Sequence, residues 1–430
     1  IHQDVVPEIW EKSRRSDRAS RRVQWVSPAR ACGGSAASNA EVRKVRTKTG
    51  LAPCVLPDRR LDSTATADSV LAEALAAVRS MLSAARTLGA STFRQARSPQ
   101  ARTMAAAAGA AGGETKAPSM ETARFLFDLN GYIVVKGALS PEHVSRLNGA
   151  IDKHDADFKS RTTDRPELRN TVKGTPLAGD GESPRRDMGG MLGWPEGDRE
   201  PFRELLAHPT LSRYLTMLCG SGYRLDHSPM VLSQYKGSEG FHLHGGPLHS
   251  DGRMNPSLQY RCHPPDVWNS LVAMSVTLTP QPAGAGGFVV VKGSHKLNFA
   301  PPNELIHGEK HAEHIYQPVT EPGDVIFFSE ATLHGAAGWT AEHERRITLF
   351  RFAPPELSYG RLGTDWPPSY LEGCTPAQAA VLEPAYNKRL NRPVVVPPAA
   401  GATAEPDVVV VSRSEEKKRF DKEVFGTDFF

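Results

Sequence analysis

Cysteine is scarce in this 430-residue chain. There are five, Cys32, Cys54, Cys219, Cys262 and Cys374, an odd number with no Cys-x-x-Cys pair. That disfavours both a disulfide framework and a zinc knuckle, and fits a reducing compartment. Also missing is any run of about 18 uninterrupted apolar residues, so no membrane span is expected. Positive charge is lacking where a nucleic-acid binder would need it. The formal net charge is +4, but residues 1–103 hold 18 Lys and Arg against 9 Asp and Glu, which leaves 34 against 39 for residues 104–430. A mildly acidic body does not carry the electrostatic footprint of nucleic-acid binding.

Turn formers are abundant instead, with 37 Gly and 34 Pro, and clearly helical windows are few. Length alone allows two or three domains; composition argues for one large one. Residues 1–118 read as a disordered or non-native extension, rich in Arg, Ser and Ala, with an amphipathic helix over 68–88 and Met104 as a candidate true start. A transit segment is the competing reading, and with it a plastid or mitochondrion rather than the cytoplasm. Residues 119–396 form the expected domain, and 397–430 a flexible tail with a short helix over 414–425.

Within the domain, Ser140-Pro141-Glu142 starts a helix with Ser140 as its N-cap. Residues 160–190 are polar and read as a long loop. From Tyr223 onward the pattern is short apolar strands between Gly/Pro turns: 230–232, 270–276, 287–291, 325–328 and 347–350. Such spacing predicts a mainly β fold with flanking helices, whose core is an antiparallel sandwich or jelly roll enclosing a cavity.

Two stretches carry chemistry. One is the run Phe241-His242-Leu243-His244-Gly245-Gly246-Pro247-Leu248-His249-Ser250-Asp251. The other runs from Gly323-Asp324 through an apolar strand to His334, with Arg345-Arg346 after it. A proximal His with a carboxylate, a distal His and an Arg beyond it are the parts of a mononuclear iron site that also takes a dicarboxylate. In an extended strand, His249 and Asp251 share a face and could reach one metal.

The order of these pieces resembles the phytanoyl-CoA dioxygenase family of iron(II)/2-oxoglutarate oxygenases. The resemblance rests on Asn130-Gly131-Tyr132-Ile133-Val134-Val135, on Gly286-Gly287-Phe288 leading to Gly293-Ser294-His295, and on Pro322-Gly323-Asp324 leading to His334. Arg224-Leu225-Asp226-His227 and Leu243-His244-Gly245-Gly246 look like a less-studied branch of it. The resemblance implies a double-stranded β-helix (cupin-like), iron(II), 2-oxoglutarate and O2 as reactants, and oxidation of a small or lipid-like substrate with release of succinate and CO2. His334 inherits the metal role. Arg345, eleven positions later, inherits the co-substrate carboxylate, with Arg346 as its alternative one register away.

The proximal ligands stay open: His249 with Asp251, or His244. If His244 is the ligand, Gly246 stands at the carboxylate position, as in iron halogenases, unless Asp251 reaches across a loop. Gln234 and Tyr235 are candidate co-substrate contacts, and Trp339 a cover for the cavity. Ala336 replaces a hydroxyl that family members often carry. With Gly246, it keeps a non-catalytic ligand-binding barrel in view.

Overall fold

Ser119 caps the helix that opens the described residues, its hydroxyl accepting from the Thr122 N–H at 3.1 Å, and Gly131 ends it in the left-handed conformation. The computed structural model describes residues 118–161, 168–360 and 366–427. The expected extension up to residue 117, its 68–88 helix included, lies outside the described residues. The helices are α1 (Met120–Asn130), α2 (Pro141–Lys153), α3 (Glu200–Arg203), α4 (Pro209–Cys219), α5 (Asn303–Ile306), α6 (Pro368–Leu371), α7 (Pro376–Val381) and α8 (Glu415–Phe425). None of them is long and apolar enough to cross a membrane.

The strands are β1 (Tyr132–Val135), β2 (Lys159–Ser160), β3 (Arg186–Gly189), β4 (Arg224–Gln234), β5 (Phe241–His244), β6 (Tyr260–His263), β7 (Asp266–Asn269), β8 (Val272–Thr277), β9 (Gly287–Val291), β10 (Ile315–Tyr316), β11 (Val325–Ser329), β12 (His334–Ala337), β13 (Arg345–Ala353), β14 (Leu390–Val396) and β15 (Asp407–Ser412). Seven form one antiparallel sheet in the order β1-β11-β8-β13-β4-β3-β2. Four form a second, β10-β9-β12-β5. This is the expected jelly roll.

Burial explains why the strands read as near-continuous apolar runs. Both faces of the seven-stranded sheet are covered. Phe327 and Phe350 point to one side, packing with Phe127, Leu147 and Leu211 of α1, α2 and α4. Ile326 and Phe328 point to the other, meeting Phe288 and Val290 of β9 across the barrel interior. The outer face of the small sheet, Leu243, Val289 and Leu333, is capped by Leu177. That last contact corrects the expectation of an uninterrupted loop over 160–190. A short helical turn at Pro176–Ala178 and the strand β3 lie within it, because Leu177 and Met188 need burial.

The end of the chain differs from expectation as well. The short helix expected over 414–425 is present as α8, capped by Ser414, but β15 ahead of it pairs with β14. Asp421 anchors that segment, its buried carboxylate bonded to Arg413 and, at 2.7 Å, to Lys417. A run of valines over 408–411 supplied the strand propensity that the reading as a flexible tail discounted.

Candidate metal centre

β12 lies between β9 and β5, and His334 is the direct cross-strand partner of His244. Their rings are 4.2 Å apart between centroids. A β-bulge makes this possible. Ala336 pairs with Phe241 and His334 with His244, so three steps on β5 match two on β12. The extra residue re-aims the strand, so that Phe241 and His244, three apart in sequence, bring their rings to 4.3 Å between centroids in a tilted pair.

β5 ends at once after His244. Gly245 has φ +85°, and a Cβ there would sit 2.5 Å from the Glu330 carbonyl oxygen and 2.7 Å from that of Thr332. Gly246 also has φ +92°, but a Cβ there would meet nothing within 4 Å. The chain has left the strand by the position where a His-x-Asp motif would present its carboxylate.

The carboxylate comes from elsewhere. Glu330, in the corner between β11 and β12, points Oε2 to 3.5 Å from His334 Nε2. One ligand atom from each of His244, Glu330 and His334 lies within 4.8 Å of the others, and all three side chains are largely buried. Each histidine places its Nδ1 against a backbone carbonyl: His334 on Thr332 at 2.7 Å, His244 on His242 at 3.1 Å. With Nδ1–H donated to those oxygens, Nε2 keeps its lone pair for a metal.

Electrostatics agree. Burial pushes the His244 imidazole down to about 3, aided by the neighbouring His334, and pushes His334 in the same direction against the opposing pull of Glu330. Burial would raise the Glu330 carboxyl, but the Arg351 guanidinium, followed by the two histidines, holds it down at about 2. Arg351 donates from Nε to Glu330 Oε1 at 2.6 Å. Two neutral imidazoles and one carboxylate are the donor set that iron(II) takes.

The corner carrying Glu330 and His334 is tied down by the Asn130-Gly131 turn. The Gly131 carbonyl accepts from Ser329 N–H and from the Thr332 hydroxyl, both at 3.0 Å.

Arg345 opens β13 opposite Gln234. It is fully buried, donating from Nη1 to Gln234 Oε1 at 2.7 Å and from Nε to Gln281 Oε1 at 2.9 Å. Both acceptors are neutral, and among the described residues no carboxylate pairs with it. Burial, with Arg185 nearby, pushes its guanidinium down to about 9. A buried cation without a counter-anion is costly unless a ligand brings one. Arg346 faces the other way, paired with Asp152 and Glu344.

Several expectations need correction. His249 and Asp251 are exposed, in a turn beyond β5; Asp251 is 48% exposed and binds Arg253 instead of joining the histidines. The residues are not in an extended strand, so the two-residue spacing does not put them on one face. Tyr235 is 44% exposed, with its hydroxyl on Arg186 Nη2 at 2.6 Å, and does not face the cavity. Trp339 is buried and donates its indole N–H to the His343 carbonyl, fixing its own loop.

Glu330 and Arg351 were missed altogether. The signal was there: one acid in the otherwise apolar or small stretch 325–333, and one Arg inside the apolar strand 347–353.

No curated protein matches the chain. Among solved structures, HygX from Streptomyces hygroscopicus with nickel, 2-oxoglutarate and hygromycin B bound is 20% identical, with a TM-score of 0.45 over 56% of this chain and 90% of that one. EctD from S. alaskensis with 2-oxoglutarate and 5-hydroxyectoine is 20% identical, with a TM-score of 0.39 over 56% of this chain and 79% of that one. The epimerase SnoN from nogalamycin biosynthesis is 18% identical, with a TM-score of 0.39 over 56% of this chain and 86% of that one. The family model for phytanoyl-CoA dioxygenase matches residues 127–347, just over half of the sequence. The chain belongs to the phytanoyl-CoA dioxygenase family, whose cofactors are iron(II) and 2-oxoglutarate.

Proposed function

We propose that the chain is an iron(II)/2-oxoglutarate dioxygenase that hydroxylates a small or lipid-like molecule, releasing succinate and CO2. His244, Glu330 and His334 would hold the metal, and Arg345 the far carboxylate of 2-oxoglutarate. The observation that carries this reading is the meeting of two Nε2 lone pairs and a carboxylate at one buried corner. When bound, iron(II) supplies the redox chemistry that couples decarboxylation of the co-substrate to oxidation of a C–H bond.

The chain's own groups do the positioning. The Thr332 and His242 carbonyls fix both ring orientations. Arg351 occupies one Glu330 oxygen and leaves the other for the metal. The planar fork of Arg345, held by two glutamines, offers its remaining N–H groups to a carboxylate. The halogenase reading draws on Gly246 lacking a carboxylate; Glu330 offers one from the β11–β12 corner, which weakens that premise.

The test is anaerobic addition of iron(II) and 2-oxoglutarate to folded protein. A visible charge-transfer band is expected, lost in Glu330→Ala and retained in Asp251→Ala. No band from folded wild-type protein would instead favour a ligand-binding barrel without iron.

A further inference from the structure

Resting on that reading, we infer that Arg351 and the Arg224-Leu225-Asp226-His227 segment build a subsite beside the metal corner for a carboxylate of the substrate. The geometry starts from two register shifts. On β13, Leu349 faces Met230, Arg351 faces His227 and Phe352 faces Leu225, so irregularities flank His227 on both sides. They accommodate Pro229, which has no N–H to give a central strand. They also set His227 beside Arg351 as its cross-strand partner.

Asp226 organises this rim. Its buried carboxylate accepts from Arg224 Nη1 at 2.8 Å and from the backbone N–H groups of Tyr359 and Gly360 at 3.0 and 3.2 Å. Its Oδ2 lies 2.9 Å from His227 Nδ1. The Tyr359 ring is 5.6 Å from the His227 ring. The imidazole and the phenol ring thus lie side by side next to this buried acid, and both remain partly open to solvent.

Arg351 completes the set. Its Nε is committed to Glu330, but its two Nη groups bond to no described residue, and the side chain is 23% exposed. His227 Nε2 and the Tyr359 hydroxyl likewise have no partner among the described residues, and the His227 side chain is 31% exposed. Donors from three segments meet on one rim, and the two nearby acids, Asp226 and Glu330, are already engaged. The free edge of a guanidinium is a planar fork, the shape that matches a carboxylate through two parallel N–H···O bonds. Only the Glu330 carboxylate separates that fork from the metal corner, so an acid bound there presents its nearest carbons to the site of oxidation.

The experiment uses the anaerobic full-length enzyme loaded with iron(II) and saturating 2-oxoglutarate, followed through the visible band. Straight-chain acids from acetate to decanoate are titrated against their primary amides, with octyl phosphate alongside. At least one acid is expected to perturb the band with an affinity about tenfold or more above its amide. His227→Leu and Tyr359→Phe should each lose most of that preference while keeping the band itself. Acids and amides binding equally with an intact band, octyl phosphate binding more tightly than octanoate, or an undiminished acid preference in both variants would each overturn the subsite. Absence of the band in wild-type protein would overturn the iron reading beneath it, which is a different result.

Discussion

Two carboxylates compete for one role in this chain, and they differ in almost every physical respect. Asp251 stands in the better-looking motif, two residues after a histidine, but it sits in a solvated turn with Arg253. Glu330 stands in no motif, but it is buried, ionised by Arg351 and within 3.5 Å of His334 Nε2. The difference teaches that ligand spacing has meaning only on the backbone that realises it. A two-residue spacing shares a face in a strand and does not in a turn.

The largest expected effect is Glu330→Ala, which should abolish the charge-transfer band and cut uncoupled succinate release by at least about 100-fold. Asp251→Ala should leave both within error; a loss there would reverse the assignment. Next comes Arg345→Met. The KM for 2-oxoglutarate should rise roughly 30-fold or more, while the apo-protein gains about 1 kcal/mol from losing an unpaired buried charge. Thermal melts with and without the co-substrate measure both.

A third contrast lies between neighbouring glycines. Gly245→Ala should cost roughly 2–4 kcal/mol, because its Cβ meets two backbone carbonyls in a left-handed conformation. Gly246→Ala, equally left-handed but in open space, should cost about 1–2 kcal/mol. Equal losses in denaturant titrations would remove the packing argument.

A fourth contrast, confined to acid pH and so without effect on activity near neutrality, concerns acid stability. Burial would raise the Asp226 carboxyl, but His227, the Tyr359 backbone N–H and Arg224 bring it from 3.8 to about 2. A folded-state value below the unfolded one adds stability above pH 3.8 that is lost as pH falls through about 2. Asp226→Asn should flatten the stability profile across that window by an amount on the order of 2 kcal/mol. Asp251→Asn should change it far less: Arg253 holds that carboxyl down too, but the pair is screened by solvent.

Much of the frame was legible because it obeys short-range rules. Ser140-Pro141 marked the start of α2, and the apolar runs at 287–291 and 325–328 marked strands with both faces covered. His334 stands out in the sequence because turn, strand, histidine and arginine follow one another locally. The sequence does not rank His244 above His249, since what brings His244 to His334 is a bulge and a change of backbone direction at Gly245, and neither has a sequence period. Glu330 and Arg351 were hidden for a related reason. Each looks like an intrusion in an apolar strand until the other is placed opposite it, which only the pairing of β13 with β8 and of β8 with β11 accomplishes.

Glu330 and His334 travel together on a five-residue corner, and a single oxygen, that of Gly131, pins this corner at two points. The turn between α1 and β1 is thus a clasp as much as a connection. Trimming the chain past α1 and β1 would leave every candidate ligand in the sequence and still deprive the corner of the grip that sets its shape.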